Sequence, residues 1–108
     1  MQDIDRAVDE AERLFVEAGQ AKVRAEGFDL KRKRTRAVLF VKYKGDGHAA
    51  GASEQMAEAD PIYGLACAEW ETAAMEAETL RAQAEAKRLR FEAWRTRKAT
   101  ERAQMNLR

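Results

Sequence analysis

The stretch DPIYGLACAEWETAAMEAETLRAQAEAKRLRFEAWRTRKATERAQMN, Asp60 to Asn106, decides the fold. Asp60-Pro61 reads as a helix start. An aspartate side chain accepts a free amide of the first turn, and proline fits there because the N–H it lacks would have no partner. No proline follows Pro61, and Gly64 is the only glycine beyond it. One helix to about residue 106 is therefore expected, roughly 70 Å long at the usual helical rise. Ala66, Trp70, Ala73, Ala77, Leu80, Ala84, Lys87, Phe91, Trp94 and Lys98 alternate steps of four and three, the seam spacing of a coiled coil. Small residues fill the middle of that seam and let a second helix approach closely.

The N-terminal half supplies the second helix. Ile4, Ala7, Val8, Ala11, Leu14, Phe15, Ala18, Ala21 and Ala25 recur three and four apart. Asp3 is the expected N-cap, followed by acidic first turns that suit the helix dipole. Gly19 and Gly27 weaken this helix by up to about 1 kcal/mol each without ending it. Residues 37–43 (Ala-Val-Leu-Phe-Val-Lys-Tyr) read as either strand or helix. No partner strand follows, and an isolated strand is unstable, so helix is the expectation. Gly45 to Ser53 reads as a loop, with Ser53 capping a short helix over Glu54–Ala59. The expected fold is all-α: a long antiparallel, coiled-coil-like helical hairpin within one helical domain, 1–108. Its helix covers about 3–44, its loop and short helix 45–60, and its long helix 61–106.

A near-neutral net charge of +1 argues, as an average, against a strongly basic nucleic-acid binder. The average hides segregation. Residues 1–29 carry eight acids and four bases, 31–44 seven bases and no acid, 45–80 eight acids and no Lys or Arg, and 81–108 nine bases and three acids. If Lys44 lies opposite Pro61, Leu14 faces Phe91, Ala11 faces Trp94, Ala21 faces Ala84, Ala25 faces Leu80, Phe28 faces Ala77 and Leu39 faces Ala66. That alignment also sets Asp3, Glu10 and Glu17 against Arg102, Arg95 and Arg88, and the basic 31–44 against Glu69 and Glu71. Such pairs contribute little energy singly but disfavour parallel or shifted pairings. Ile4, Val8, Phe15, Val38, Phe40, Val41, Ile62, Leu65, Met75 and Leu89 lie partly off the seam, so the hairpin is expected to self-associate or bind a partner, with a dimeric helical bundle as the leading expectation.

Reactive side chains are sparse: one His (His48), one Ser (Ser53) and one Cys (Cys67). His48 lies in a glycine-rich segment without a catalytic motif, and Cys67 on a helix reads as a small packed residue. One Cys and one His do not make a zinc site, and the Glu-x-x-His pairs of di-iron bundles are missing. Gly45-Asp46-Gly47 lacks the Gly-Lys-Ser/Thr of a phosphate loop. No enzyme activity, cofactor, metal or small-molecule substrate is expected. With no long apolar run and an acidic start, a cytoplasmic protein without membrane partners is expected.

The run Lys31-Arg32-Lys33-Arg34-Thr35-Arg36 is the leading candidate for contact with nucleic acid or a partner, together with Arg88, Arg95 and Arg102. Five bases in six residues project round the helix, so not all can pair internally.

Asp60-Pro61-Ile62-Tyr63, Phe91-Glu92-Ala93-Trp94-Arg95-Thr96 and Ala99-Thr100-Glu101-Arg102-Ala103-Gln104-Met105 resemble a family of small helical proteins of bacteriophages and prophages. The resemblance covers residues 58–108 and departs at Gln104, where an acid is common. It implies a phage-encoded protein from among replication and recombination genes, working in the host cytoplasm, with no catalytic residues to carry over. Three functions follow as expectations: a non-enzymatic accessory that contacts a phage or host DNA-metabolism protein, a sequence-independent binder of DNA or RNA, and an inhibitor of a host or defence protein.

Overall fold

A run of helix formers without proline from residue 2 to residue 45 produces one uninterrupted helix, and Asp60-Pro61 starts another. In a computed structural model, which describes residues 2–107, these are α1 (Gln2–Gly45) and α3 (Pro61–Asn106), with a short α2 (Ala50–Ala59) between them. No strand occurs among the described residues, and 37–43 belong to α1. The chain is thus an all-helical, elongated hairpin, 86 × 23 × 14 Å. Asp3 lies inside the first turn of α1 rather than capping it.

The turn is tighter than the glycine content suggests. The α1 helix closes with Asp46 N–H donating to the Lys42 and Tyr43 carbonyls (3.1 and 3.2 Å). Gly47 then takes a left-handed φ of 98°, which only glycine adopts without strain. Helix α2 starts at Ala50, with Ala49 as a cap that offers no side-chain bond. Ser53 therefore does not cap this helix, and the segment 50–53 is helix, not loop. Ser53 lies fully buried against the turn, its Oγ donating to the His48 carbonyl at 3.4 Å. A serine placed one turn inside a helix can satisfy its hydroxyl against the chain that precedes the helix. Here that chain is the turn.

The core is a narrow seam of Leu14, Ala21 and Leu39 on α1 and Ala66, Ala73 and Ala84 on α3. Each buried leucine contributes about 1.5–3 kcal/mol and each alanine less, so the stabilising energy is spread thinly along the hairpin. Trp70, Ala77, Leu80, Phe91 and Trp94 are half-buried along the same seam.

The two long helices are not aligned with Lys44 opposite Pro61. Glu10 pairs with Lys87 (3.3 Å) and not Arg95, Arg24 with Glu76 (3.2 Å), and Lys31 with Glu69 (2.9 Å). This is a slip of about one heptad from the sequence-based alignment. A slip of one heptad returns every seam residue to the seam, so apolar spacing alone accepts both alignments. The turn decides between them. Helix α2 folds back mainly against the end of α1 and carries the buried Ala57 and Ser53. There Leu39 is buried and Phe40 and Tyr43 half-buried, so the last turns of α1 rest on α2 and run past the start of α3. At the opposite end α3 overhangs α1, and residues 95–107 are all exposed. The stagger explains why the molecule, at 86 Å, is longer than α3 itself, which spans about 69 Å.

Asp60 fastens this arrangement. One carboxylate oxygen accepts the Ile62 amide at 2.9 Å, capping α3, and the other accepts the Tyr43 hydroxyl at 2.6 Å, tying the cap to α1. The Tyr43 bond, with the Ile62 amide, holds the Asp60 carboxyl below the usual carboxylate range, and Asp60 in turn pushes the Tyr43 phenol up. A lowered carboxylate stabilises the fold above its unfolded-state pKa, and that contribution is lost as pH falls through the folded value. A raised phenol stabilises below its unfolded-state pKa and fails as pH rises through the folded value. Circular-dichroism melts should therefore show Tm falling below about pH 4 and again above about pH 10, with Tyr43→Phe flattening the alkaline limb. Asp60→Ala should lower Tm at pH 7 by about 5 °C through the lost cap. In the seam, Ala84→Leu should cost about 1–3 kcal/mol in urea unfolding, because the close approach leaves no room.

Candidate functional site

The basic run on α1 faces a different fate at each residue. Steps of seven along α1 (Ile4, Ala11, Ala18, Ala25, Arg32, Leu39) carry Arg32 into the seam. There its guanidinium lies over the Trp70 ring at 4.6 Å, donates to Asp29 from Nε (3.2 Å) and Nη2 (2.6 Å), and reaches the Tyr63 hydroxyl at 3.4 Å. Planar, with donors round its edge and an apolar face, arginine can stack and bond at once in a way lysine cannot. The Asp29 carboxylate keeps the Arg32 guanidinium charged, and Arg32, with Lys33, holds the Asp29 carboxyl below its ordinary range.

Its neighbours are also taken up by carboxylates. Lys31 pairs with Glu69 (2.9 Å) on α3, Lys33 with Asp29 (3.2 Å), and Arg36 with Glu58 (2.8 Å) on α2. Of the expected meeting of 31–44 with Glu69 and Glu71, the Glu69 pair is present and Glu71 makes no ion pair among the described residues. Arg34 is exposed and makes no ion pair with the described residues, and the same holds for Lys42 and Lys44.

On α3 the arginines seven apart behave differently along the helix. Arg81 pairs with Glu78 (3.0 Å), and Arg88 bridges Glu85 and Glu92 (2.6 Å to the latter) on its own helix, not Glu17. Arg88 lowers the Glu85 carboxyl, and Glu85 raises the Arg88 guanidinium. Arg95 and Arg102, with Arg90 and Arg97, have no carboxylate partner among the described residues. They sit on or beside the overhang of α3. The α1 run lies beside residues 63–70 of α3, about 40 Å from Arg95 along the helix, so the fold keeps the two candidate groups apart.

Phe91 and Trp94 stack at 6.0 Å and face Ile4 and Ala7 across a groove of about 270 Å³, rimmed by Asp3, Lys87 and Arg90. They are seam residues at the edge of the α1 contact. His48 lies edge-on to Tyr43 at 6.2 Å, Cys67 is a half-buried free thiol, and no cluster of metal-ligating side chains occurs among the described residues. No described helix is long and apolar enough to cross a membrane.

The outer faces of both long helices carry uncovered apolar side chains. On α1 these include Val16, Val23 and Leu30, seven apart and 59–68% exposed. On α3 they include Leu65, Met75 and Leu89. The α1 row was not among the apolar residues singled out from the sequence, although its step of seven was an available signal.

Comparisons with protein-family models, with curated proteins and with solved structures gave no match to this chain. The likeness to helical phage proteins rests on the residues quoted for it.

Arg32 and Arg34 make a clean test of what the basic run does. Arg32→Ala should lower Tm by at least about 4 °C, since it strips the seam of a stacked, bonded cation. Arg34→Ala should leave the melt within about 1 °C.

Proposed function

We propose that the chain is a non-enzymatic helical interaction protein that works through protein–protein contacts, as an accessory to phage DNA replication or recombination in the host cytoplasm. The observation that carries this reading is the row Val16, Val23, Leu30 on the outer face of α1, which no part of the hairpin covers. Contiguous exposed apolar rows on a water-soluble helix mark contact surfaces, because leaving them in water costs stability that a partner recovers. A helix face with anchors one heptad apart suits another helix laid along it. The phage setting and the DNA-metabolism partner come from the resemblance over residues 58–108.

The test is co-elution of the purified chain with a phage single-strand-annealing protein and, separately, with a phage single-strand-binding protein. Co-elution is expected, and Val23→Ser with Leu30→Ser should abolish it while the far-ultraviolet circular dichroism stays unchanged. Co-elution that survives both substitutions, or a chain that binds neither protein, would overturn the reading.

A second reading, sequence-independent nucleic-acid binding, draws on the partnerless Arg90, Arg95, Arg97 and Arg102. Four phosphate contacts there would weaken binding by about 50- to 150-fold between 50 and 200 mM salt. Fluorescence anisotropy with a labelled oligonucleotide measures this, and no binding at 50 mM salt would eliminate it.

A further inference from the structure

The seam that grips α1 is not the only regular stripe on α3. A second series in steps of three and four starts at Leu65 and runs by way of Met75, Ala82, Leu89 and Thr96 to Leu107. Every member of it is Leu, Ala, Met or Thr, with no charge along its whole length. Every member is also exposed, Leu65 at 67% and Met75 at 72%. An ordinary two-helix hairpin has one seam per helix and a charged outer face. This helix has a seam on each side.

The exposed area is consistent with a missing partner. The chain exposes 8301 Å². A folded monomer of 12.2 kDa would expose about 6,100 Å². The excess, about 2,200 Å² per chain, is more than one partner contributes to a standard stable interface.

The charges beside the stripe indicate which partner. Glu69, Glu76, Gln83, Arg90 and Arg97 lie seven apart along one flank, acidic at one end, basic at the other and neutral in the middle. Such a column complements itself when reversed. About a two-fold axis through Gln83, Glu69 meets Arg97 and Glu76 meets Arg90 of a second copy. Arg90 and Arg97 have no carboxylate partner among the described residues, whereas Glu69 and Glu76 are half exposed and a carboxylate can accept a second cation. On the other flank, Glu78, Glu85 and Glu92 pair with Arg81 and Arg88 of their own helix, and Glu71 in the same column makes no ion pair among the described residues.

We infer that the outer stripe of α3 is a self-association surface: two copies pair antiparallel through it, on a two-fold axis at Gln83, into a four-helix assembly that leaves the outer row of α1 free. The inference deepens the interaction-protein reading and rests on it only for its purpose, since self-association needs no other molecule.

Sedimentation and light scattering on the full chain at micromolar concentration should give a dimer. Met75→Glu with Leu89→Glu should raise the dimer Kd by at least about tenfold and yield a helical monomer. In a Cys67→Ala background, Gln83→Cys should link to a second copy through a short bismaleimide, and Gln104→Cys, in the same column but far from the axis, should not. A monomeric chain, a dimer indifferent to the two glutamates, or linkage at 104 without linkage at 83 would each overturn the inference. Light scattering separates its failure from that of the proposed function, because a monomer that still co-elutes with the DNA-metabolism protein refutes only the dimer.

Discussion

A seam of alanines repeating every seven residues does not choose its own alignment. Buried Ala21, Ala66, Ala73 and Ala84 present nearly the same shape to the facing helix after a slip of one heptad, so little apolar energy separates the two arrangements. The hairpin depends instead on polar contacts that can be made in only one position. Asp60 caps α3 and takes the Tyr43 hydroxyl; Arg32 stacks on Trp70 and is held by Asp29. Both lie in the half of the molecule near the turn. Polar groups in an apolar seam commonly give up some stability and fix register in return, and Arg32 occupies such a place here.

Much of the fold was legible from residue spacing. Asp60-Pro61 marked the start of α3 correctly, the missing partner strand led to helix over 37–43, and the three-four stepping identified the seams. The alignment was not legible, because its determinant is α2. Reading Gly45 to Ser53 as loop shortened the element that occupies the end of α1 to Glu54–Ala59, and the charge columns then appeared to match in the level alignment. They match there by the same seven-residue repeat that makes the seam ambiguous. Ser53 misled for a related reason: a serine before acidic residues looks like a cap, and only the path of the preceding turn gives its hydroxyl a buried acceptor.

The basic run shows how a helix converts a linear motif into separate roles. Lys31 and Arg36 fasten α1 to the other two helices, Arg32 enters the seam, Lys33 answers Asp29, and Arg34 faces solvent. A cluster that reads in sequence as one patch is spread round a cylinder. Four cations without a carboxylate among the described residues, Arg90, Arg95, Arg97 and Arg102, lie on or beside the uncovered far end of α3. The second, uncharged face of α3 lies away from α1 along its full length and stays exposed in either alignment.

The alignment itself is the claim to measure. Spin labels placed by Lys31→Cys with Glu69→Cys, and separately by Lys31→Cys with Glu76→Cys, report it by pulsed electron–electron distance in a Cys67→Ala background, diluted with unlabelled chain. The structure predicts the shorter distance for the 31–69 pair. A shorter distance for the 31–76 pair would mean that the helices lie level, and would contradict the stagger and what is built on it.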